Sequence, residues 1–422
     1  MGRKLLHLSA MQDRRDLWSQ ISKTNFRKLH AFSIFGRGGI FPLHSSTRQS
    51  WSGSEKTTEV LLRGFDSKRY TLNRSRDICG RGAAHRVAVY RDATTFASGI
   101  IVLQDGGQEE SRIVANGGCV LTSLVPRGTY SSKPSSGAAA PPTVVPGSVL
   151  AMAATWTEGL WHFVAEAFTG LSSLPVTEAG AVEISADARR VGVHIVEQTA
   201  GGPRGAGTGR WELKSTTPNS PLFVHLSRKS PFAVQFLRAL GVNQSQLVYG
   251  RISAQRLVVP EMGECGNPSP GHAQWLRQFL QRNLVDAADQ KEVGSRRLLV
   301  LIRRRGSRPV RNWAAVEEVG TRYADRHGLQ VYVHSGTGSL QKQAAAFAAA
   351  HTIVGPHGAG LVFMAAAPPG VRIVEFMRNQ LNLCYARLAL YLSADYQCIP
   401  YKDGGNVSIA LLEESLSKWT RQ

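Results

Sequence analysis

The sequence predicts an α/β fold for the second half of the chain, from three kinds of observation. Short apolar runs at 298–303, 329–334 and 352–354 have the composition of strands. Helical patterns of roughly ten to fifteen residues separate these runs, and such alternation is typical of a parallel sheet. A glycine-rich turn then leads from the third strand into an apolar segment and a further strand, as in a doubly wound sheet.

The other elements are predicted from local signals. Apolar residues recur at helical spacing in the helices, and glycine or proline follows several elements at their ends. The predicted helices are 160–174, 232–240, 273–284, 313–326, 340–350 and 361–367. The remaining predicted strands are 99–103, 112–114, 191–196, 222–226, 255–260 and 371–376.

Length and composition indicate a globular protein of about two or three domains. The chain has 422 residues, of which 42% are hydrophobic and 19% charged. No apolar run approaches ~18 residues, so no transmembrane segment is predicted. A net charge of +20 favours anionic partners such as nucleotides, nucleic acid, acidic glycans or membrane surfaces. The five cysteines lack C-x-x-C spacing, so neither a zinc ribbon nor a redox motif is predicted.

Composition and pattern divide the chain into four segments. Residues 1–60 are rich in Arg, Lys and Ser, and this segment is a basic leader or a disordered tail. Residues 61–285 form an N-terminal α/β domain, 286–400 a C-terminal domain, and 401–422 a helical tail. The Ser-, Gly- and Pro-rich stretch 131–147 is predicted to be a loop or linker.

Two neighbouring features predict a phosphate-binding site. The turn 355–360 places His357 among three glycines, so the backbone can approach a ligand and the following helix start offers free N–H groups. Arginines cluster at the carboxyl end of the first strand, where open α/β sheets bind ligands. These are Arg296, Arg297, Arg303, Arg304, Arg305, Arg308 and Arg311. A tight turn without a ligand and a solvated basic loop are the alternative interpretations.

A histidine and a glutamate form a candidate proton-transfer pair. His162 and Glu166 are spaced i, i+4, which places both side chains on one helix face. Glu166 lies among apolar residues, where burial would raise the pKa of its carboxyl group toward that of a usable base. A solvent-facing or capping pair is the alternative. No third ligand and no Asp-x-Asp motif accompany the pair, so no metal site is predicted.

These segments resemble glycosyltransferase family 61, which includes plant β-1,2-xylosyltransferases, xylan arabinosyltransferases and protein O-linked N-acetylglucosamine transferases. The most specific matching segment is 354–361, VGPHGAGL. Arg303 and Arg304, followed by 308–312, are similar to the family's arginine strand and its Arg-x-Ile-x-Asn segment.

Further segments extend the resemblance over roughly residues 150–400. A helix face carrying Gln343, Phe347 and Ala350 is similar to the family's Glu-Gln helix, with Lys342 in place of the glutamate. The helix with Trp161, His162 and Glu166 resembles the family's His-Trp helix and its acid one turn on. The segments 258–260, 265–266, 369–370 and 374–375 are also family-like.

The resemblance implies a GT-B-like fold, with two Rossmann-like domains and a central cleft. It implies an inverting, metal-independent enzyme without a cofactor, which moves a sugar from a UDP-sugar to a hydroxyl of a glycan or protein. The donor would bind the C-terminal domain and the acceptor would lie on the side of residues 61–285. A nucleic-acid partner is not expected.

The resemblance also assigns residues to roles. Arg303 or Arg304 and Arg308 would hold the diphosphate, Glu375 would lie near the ribose or base, and Glu166 with His162 would take the acceptor proton. The full set of expected donor-binding residues is Arg303, Arg304, Arg308, Asn312, Gln343, His357, Gly358, Ala359, Gly360 and Glu375.

Departures from the family pattern leave the donor sugar and activity open. The family often has Thr-Asn where this chain has Val362 and Phe363, and acids where it has Trp313 and Ala315. A catalytically inactive family member acting as a scaffold or binder is therefore one alternative. A basic nucleic-acid-binding protein is another, although the arginines concentrate at one predicted pocket without interleaved aromatic residues.

The family implies a location in the Golgi or endoplasmic reticulum lumen. Three Asn-x-Ser sequons, at Asn73, Asn243 and Asn406, are compatible with a lumenal protein. No signal peptide or anchor is recognised in the sequence.

Overall fold

A computed structural model describes residues 86–103, 141–179, 186–198, 209–285, 297–378 and 382–417, except positions 155, 218, 264, 265, 267 and 307. It also gives the backbone of four short strands before residue 116. Residues 37–422 form one compact unit. Most of the predicted leader lies outside the described residues, and so do residues 286–296, where the predicted domain boundary falls. That boundary stays a prediction.

The strands and helices follow one another along the whole described chain. The strands are β1 (Ile40–Pro42), β2 (Thr58–Val60), β3 (Tyr70–Leu72), β4 (Arg86–Thr95), β5 (Ile100–Leu103), β6 (Arg112–Ala115), β7 (Thr143–Ala151), β8 (Val176–Glu178), β9 (Val193–Glu197), β10 (Trp211–Ser215), β11 (Leu222–Leu226), β12 (Leu247–Tyr249), β13 (Ile252–Pro260), β14 (Leu298–Ile302), β15 (Gln330–His334), β16 (Ala350–Pro356), β17 (Arg372–Arg378) and β18 (Asp395–Tyr401). The α-helices are α1 (Leu160–His162), α2 (Ala186–Val191), α3 (Pro231–Ala239), α4 (Pro270–Phe279), α5 (Trp313–His327), α6 (Leu340–Ala348), α7 (Cys384–Tyr391) and α8 (Ile409–Ser417).

The C-terminal sheet confirms the α/β prediction. Its five strands are all parallel and lie in the order β15-β14-β16-β17-β18. Side chains of β14 alternate between two cores: Val300 and Ile302 pack with α6, whereas Leu299 and Leu301 pack with α5 and α8. Helices therefore cover both faces, and the sheet is doubly wound.

The N-terminal sheet is mixed, which differs from the all-parallel sheet of a Rossmann-like domain. Strands β12, β11, β7 and β13 are parallel, but β13 pairs antiparallel with β4 and the order continues through β5 and β6 as antiparallel neighbours. A tight turn ending at Gly99, with φ of 81°, joins β4 to β5. Strands joined by so short a connection have to run antiparallel.

The predicted linker 131–147 is wrong at its carboxyl end, because strand β7 begins at Thr143. The strand tolerates Pro146 and Gly147 because its pairing with β13 shifts register there, between Ala254 and Arg256. Proline and glycine are found in strands chiefly at such bulges. There the N–H group that proline lacks is not needed for a hydrogen bond between strands. Pairing with two neighbouring strands thus overrides the local composition.

Four predicted helices differ in form, and one of them, 273–284, continues from α4 into a π-helical turn (Leu280–Leu284). The 160–174 helix consists of α1, a π-helical turn (Phe163–Ala167) and a 3-10 segment (Phe168–Ser173). The apolar segment after the glycine turn is a 3-10 helix (Ala359–Ala366), cut short by the prolines that follow. Helix α6 ends at Ala348, so Ala350 lies in β16 and not on the helix face of Gln343. Among the described helices, none is long and apolar enough to cross a membrane.

A continuous aromatic core joins the two sheets. Phe168 packs edge-on against Phe236 and Phe279, with ring centroids 5.2 and 4.7 Å away. Phe236 in turn lies 6.5 Å from Phe363 of the 3-10 segment after β16. Because all four rings are almost fully buried, this cluster fixes the helical segment of Glu166 relative to the C-terminal sheet.

We expect stability to fall in mild acid because of His225. Its fully buried Nε2 donates to the Gly250 carbonyl oxygen over 2.9 Å, and burial lowers its pKa from 6.5 to about 4. Between those values the unfolded chain binds a proton that the folded chain does not, so stability falls as pH falls. The expected loss between pH 7.5 and 5 is about 2 kcal/mol.

The measurement is urea unfolding of the natural chain and of His225→Gln at both pH values. Glutamine keeps a donor for Gly250 but does not titrate, so its free energy of unfolding should fall by about 2 kcal/mol less over this interval. Equal losses in the two proteins would contradict this role for His225.

Candidate active site

The predicted site segments meet at one edge of the C-terminal sheet. Its strand order is 2-1-3-4-5 in chain sequence, so the connections reverse direction between β14 and β16. In such sheets ligands bind in the crevice outside the carboxyl ends of these two strands. The loop 303–312 follows β14 and the turn 357–360 follows β16, so both flank this crevice. The predicted position of Arg297 is wrong, because it precedes β14 and lies at the opposite edge of the sheet, beside His351 and Arg372. Arg296 lies outside the described residues.

A hydrogen bond joins the arginine loop to the glycine turn. Arg304 Nη1 donates to the carbonyl oxygen of His357 over 2.8 Å. A Cβ atom on Gly358 would lie 2.6 Å from the same Nη1, so this approach requires glycine. The guanidinium group and the backbone N–H groups of the turn are therefore held close together, an arrangement that suits an anion.

The outer side of the arginine loop forms a hollow of about 700 Å³, called here the arginine hollow. It is lined by Arg303, Arg304, Arg305, Gly306, Pro309, Val310, Arg311, Trp313, Ala314 and Glu317. The guanidinium carbon of Arg303 lies 5.9 Å from the Trp313 ring centroid. Arg304 belongs both to this hollow and to the crevice beside His357.

The C-terminal segment shapes the arginine loop. Arg308 adopts a left-handed backbone conformation with φ of 63°, and its Nη1 lies 3.7 Å from Asp403 Oδ2. The Tyr401 hydroxyl donates to the Pro309 carbonyl oxygen over 2.8 Å and accepts from Gly404 N over 2.9 Å. A non-glycine residue in this conformation is held by its surroundings, as is common at binding sites.

Two expected donor-binding residues make structural contacts in this state. Asn312 exchanges two 2.8 Å hydrogen bonds with the backbone of Val407, which imitates strand pairing. Gln343 is buried, and its Nε2 donates to the Gly338 carbonyl oxygen over 3.2 Å in the loop after β15. Both side chains therefore hold loops at the carboxyl edge of the C-terminal sheet. Direct contact between either side chain and the sugar donor stays a prediction.

Glu375 is fully buried beneath the glycine turn. One of its oxygens lies 2.5 Å from His357 Nδ1, and the other accepts a hydrogen bond from the Tyr396 hydroxyl. Because a carboxylate accepts, this pairing puts the proton of neutral His357 on Nδ1. Glu375 thus sets the direction of the imidazole ring, whereas contact between Glu375 and a ribose stays a prediction.

His162 and Glu166 repeat this arrangement in the N-terminal part of the site. His162 Nδ1 lies 2.9 Å from Glu166 Oε1, which also accepts from Gly266 N over 2.8 Å. The Glu166 side chain is 3% exposed and that of His162 is 31% exposed. The histidine is therefore the member of the pair that a solute can reach.

Aromatic contacts connect the two histidine–carboxylate pairs. The Tyr385 ring lies edge-on to Trp161 at 4.5 Å and to His357 at 5.1 Å, measured between ring centroids. Burial, and then the charges of Glu375 and Glu166, raise the pKa of the neighbouring Cys384 well above its ordinary value. The Tyr385 contacts thus place the two pairs in one region, and both carboxyl groups act on Cys384 there.

Tyr385 and Tyr396 are two residues of this region that the sequence did not predict. Tyr385 lies near the start of α7 among apolar residues, a pattern that does not distinguish it from a core residue. Tyr396 lies in β18, which was not predicted, and it reaches Glu375 from a strand 21 residues further along the chain. Only the pairing of β17 with β18 brings them together.

The chain is thus an α/β protein in which an arginine-rich loop at the switch point of a doubly wound sheet lies near two histidine–carboxylate pairs. The family profile described as Glycosyltransferase 61 matches residues 160–374, just over half of the chain. The chain belongs to glycosyltransferase family 61, and it is a glycosyltransferase by that membership. A search of curated proteins finds no match.

Two glycines in this region should respond differently to substitution by alanine. A Cβ atom on Gly355 would lie 2.5 Å from Ile302 Cβ in the adjacent strand, so Gly355→Ala should lower the free energy of unfolding by about 1–3 kcal/mol. In Gly358→Ala the added Cβ atom meets only the mobile end of the Arg304 side chain. This substitution should lower the free energy of unfolding by less than about 1 kcal/mol. Urea unfolding of both variants checks this, and equal losses would contradict the close strand approach.

Proposed function

We propose that the chain is an inverting glycosyltransferase that moves a sugar from a UDP-sugar to a hydroxyl group of a glycan or protein. The hydrogen bond between Arg304 and the His357 carbonyl oxygen carries this proposal, because it joins a cationic loop and a glycine turn at the switch point of the sheet. Family membership supplies the type of reaction. Independence from a metal is part of the proposal.

In this proposal the diphosphate of the donor lies between the arginine loop and the turn. Arg303, Arg304 and Arg308 supply positive charge, and guanidinium groups match phosphate oxygens in geometry. The N–H groups of 358–360 complete the set of donors, and His357 adds its Nε2–H when both ring nitrogens carry a proton. Positive charge there stabilises the leaving UDP as the bond to the sugar breaks.

His162 is the proposed general base, with Glu166 as the residue that orients it. The acceptor hydroxyl attacks the anomeric carbon while its proton passes to His162 Nε2, and the electron pair of the broken bond remains on the phosphate oxygen of UDP. A single displacement of this kind inverts the configuration at the anomeric carbon. Glu166 holds Nδ1 and stabilises the imidazolium that forms, because its buried carboxyl group lies within hydrogen-bond distance of that nitrogen.

Glu375 has the corresponding role toward His357. Its burial and its two hydrogen bonds support an orienting function in place of the ribose contact expected from the family. Family analogy suggests the secretory pathway, and the Golgi or endoplasmic reticulum lumen is the proposed location.

The base assignment predicts non-additive losses. His162→Ala and Glu166→Gln should each lower kcat by about 10²–10⁴-fold, and the double variant should be no slower than His162→Ala. The two residues act as one unit, so removing the second loses nothing further. Initial rates with saturating donor and acceptor measure this.

Glu178→Gln, an exposed carboxylate of β8, is the matched control and should retain full activity. Should His162→Ala keep most of its activity while Glu166→Gln loses it, Glu166 itself is the base and the assignment is wrong.

Donor binding predicts a specific loss of nucleotide affinity. Arg304→Gln should weaken UDP binding about 10–100-fold, because a charge-assisted contact is removed. Arg322→Gln removes an exposed arginine that pairs with Glu318 and Glu413, and should leave UDP affinity unchanged. Calorimetric titration with UDP measures both variants.

The same titrations separate the alternatives. A panel of UDP-xylose, UDP-arabinose, UDP-N-acetylglucosamine and UDP-glucose then tests turnover by the natural chain. UDP binding without turnover of any donor indicates an inactive family member. Salt-dependent binding of random oligonucleotide that UDP does not displace indicates a nucleic-acid-binding protein.

A further inference from the structure

The hydroxyl group of Tyr385 lies where the two halves of the site meet. The side chain is 2% exposed, and its ring is held between Trp161 and His357 at 4.5 and 5.1 Å. Edge-on contacts on both sides restrict the Tyr385 ring to one orientation. The direction of its hydroxyl is therefore fixed by packing.

Charged groups of both signs surround this hydroxyl. Burial raises the pKa of Tyr385 well above its ordinary value, and Cys384 and Glu375 raise it further. Arg304 and Arg308 act in the opposite direction. Arg304 is held in this region by its hydrogen bond to the carbonyl oxygen of His357, whose ring contacts Tyr385. The phenol therefore keeps its proton at neutral pH and remains a hydrogen-bond donor.

The proton of this phenol needs an acceptor that its neighbours do not supply. Guanidinium groups have donors only, so Arg304 and Arg308 cannot accept it. The Glu375 oxygens already pair with His357 and Tyr396. Within the described part of the chain the Tyr385 hydroxyl makes no hydrogen bond, and its oxygen is not among the fully buried polar atoms without a partner, so a ligand atom can reach it. A ligand oxygen bound by Arg304 and Arg308 would supply the missing hydrogen-bond acceptor.

We propose that the Tyr385 hydroxyl donates a hydrogen bond to the β-phosphate of the nucleotide bound by Arg304 and Arg308. This inference rests on the proposed function and adds a residue to it. As the bond between sugar and phosphate breaks, its electron pair stays on the β-phosphate oxygen, and no proton moves from the phenol. The hydrogen bond strengthens as negative charge grows on that oxygen, which favours departure of UDP.

The test compares UDP with UMP, which lacks the β-phosphate, by calorimetric titration of Tyr385→Phe. Phenylalanine keeps the ring contacts with Trp161 and His357 and removes only the hydroxyl. We expect UDP affinity to fall about tenfold and UMP affinity to stay within about twofold, because a single hydrogen bond to a charged group is lost. With an active donor, kcat should fall about 10²-fold.

Tyr391→Phe, on the same helix, is the matched control and should change neither affinity. Equal UDP affinity in Tyr385→Phe and the natural chain would overturn the inference while the proposed function stands. Equal losses for UDP and UMP would also overturn it, since they would indicate a structural role. If the natural chain binds neither nucleotide, the proposed function fails and this inference fails with it.

Discussion

The contact between the Arg304 guanidinium group and the His357 carbonyl oxygen is the interaction on which the site depends. It ties the loop after β14 to the turn after β16, and these strands are neighbours only because the strand order reverses there. This contact is sterically possible only with glycine at position 358, since a Cβ atom there would clash with Nη1. Without this contact the arginine loop would be an exposed basic segment with little preference for one ligand.

Both histidines of the site are directed by a buried carboxylate. Glu375 and Glu166 each hold an Nδ1 atom and each accept a second hydrogen bond, from Tyr396 and from the Gly266 backbone. A buried carboxyl group without hydrogen-bond partners would be strongly destabilising, so these donors offset the cost of burying each one. The two buried carboxyl groups thereby hold both imidazole rings in one orientation, which fixes the direction of each Nε2 atom.

The aromatic core brings these groups into one region. Phe168, Phe236, Phe279 and Phe363 pack the helical segment of Glu166 against the C-terminal sheet, and Trp161 then meets Tyr385. Such a core is close-packed, so a shift of one ring is transmitted to its neighbours. Changes in this core, far from the arginine loop, therefore alter the distance between His162 and that loop.

The features that depend on neighbouring residues could be predicted from the sequence: four of the five parallel strands of the C-terminal sheet, the glycine turn, the arginine loop and the helical spacing of His162 and Glu166. Periodicity and glycine spacing are local, and the family resemblance follows from the same residues. Tertiary structure alone decided which distant residues pair. It placed Thr143 in a strand, gave the N-terminal sheet its antiparallel half, engaged Asn312 with Val407, and set Tyr396 against Glu375. Each of these results from contacts between residues far apart in the chain, whose burial and hydrogen bonds outweigh local preference.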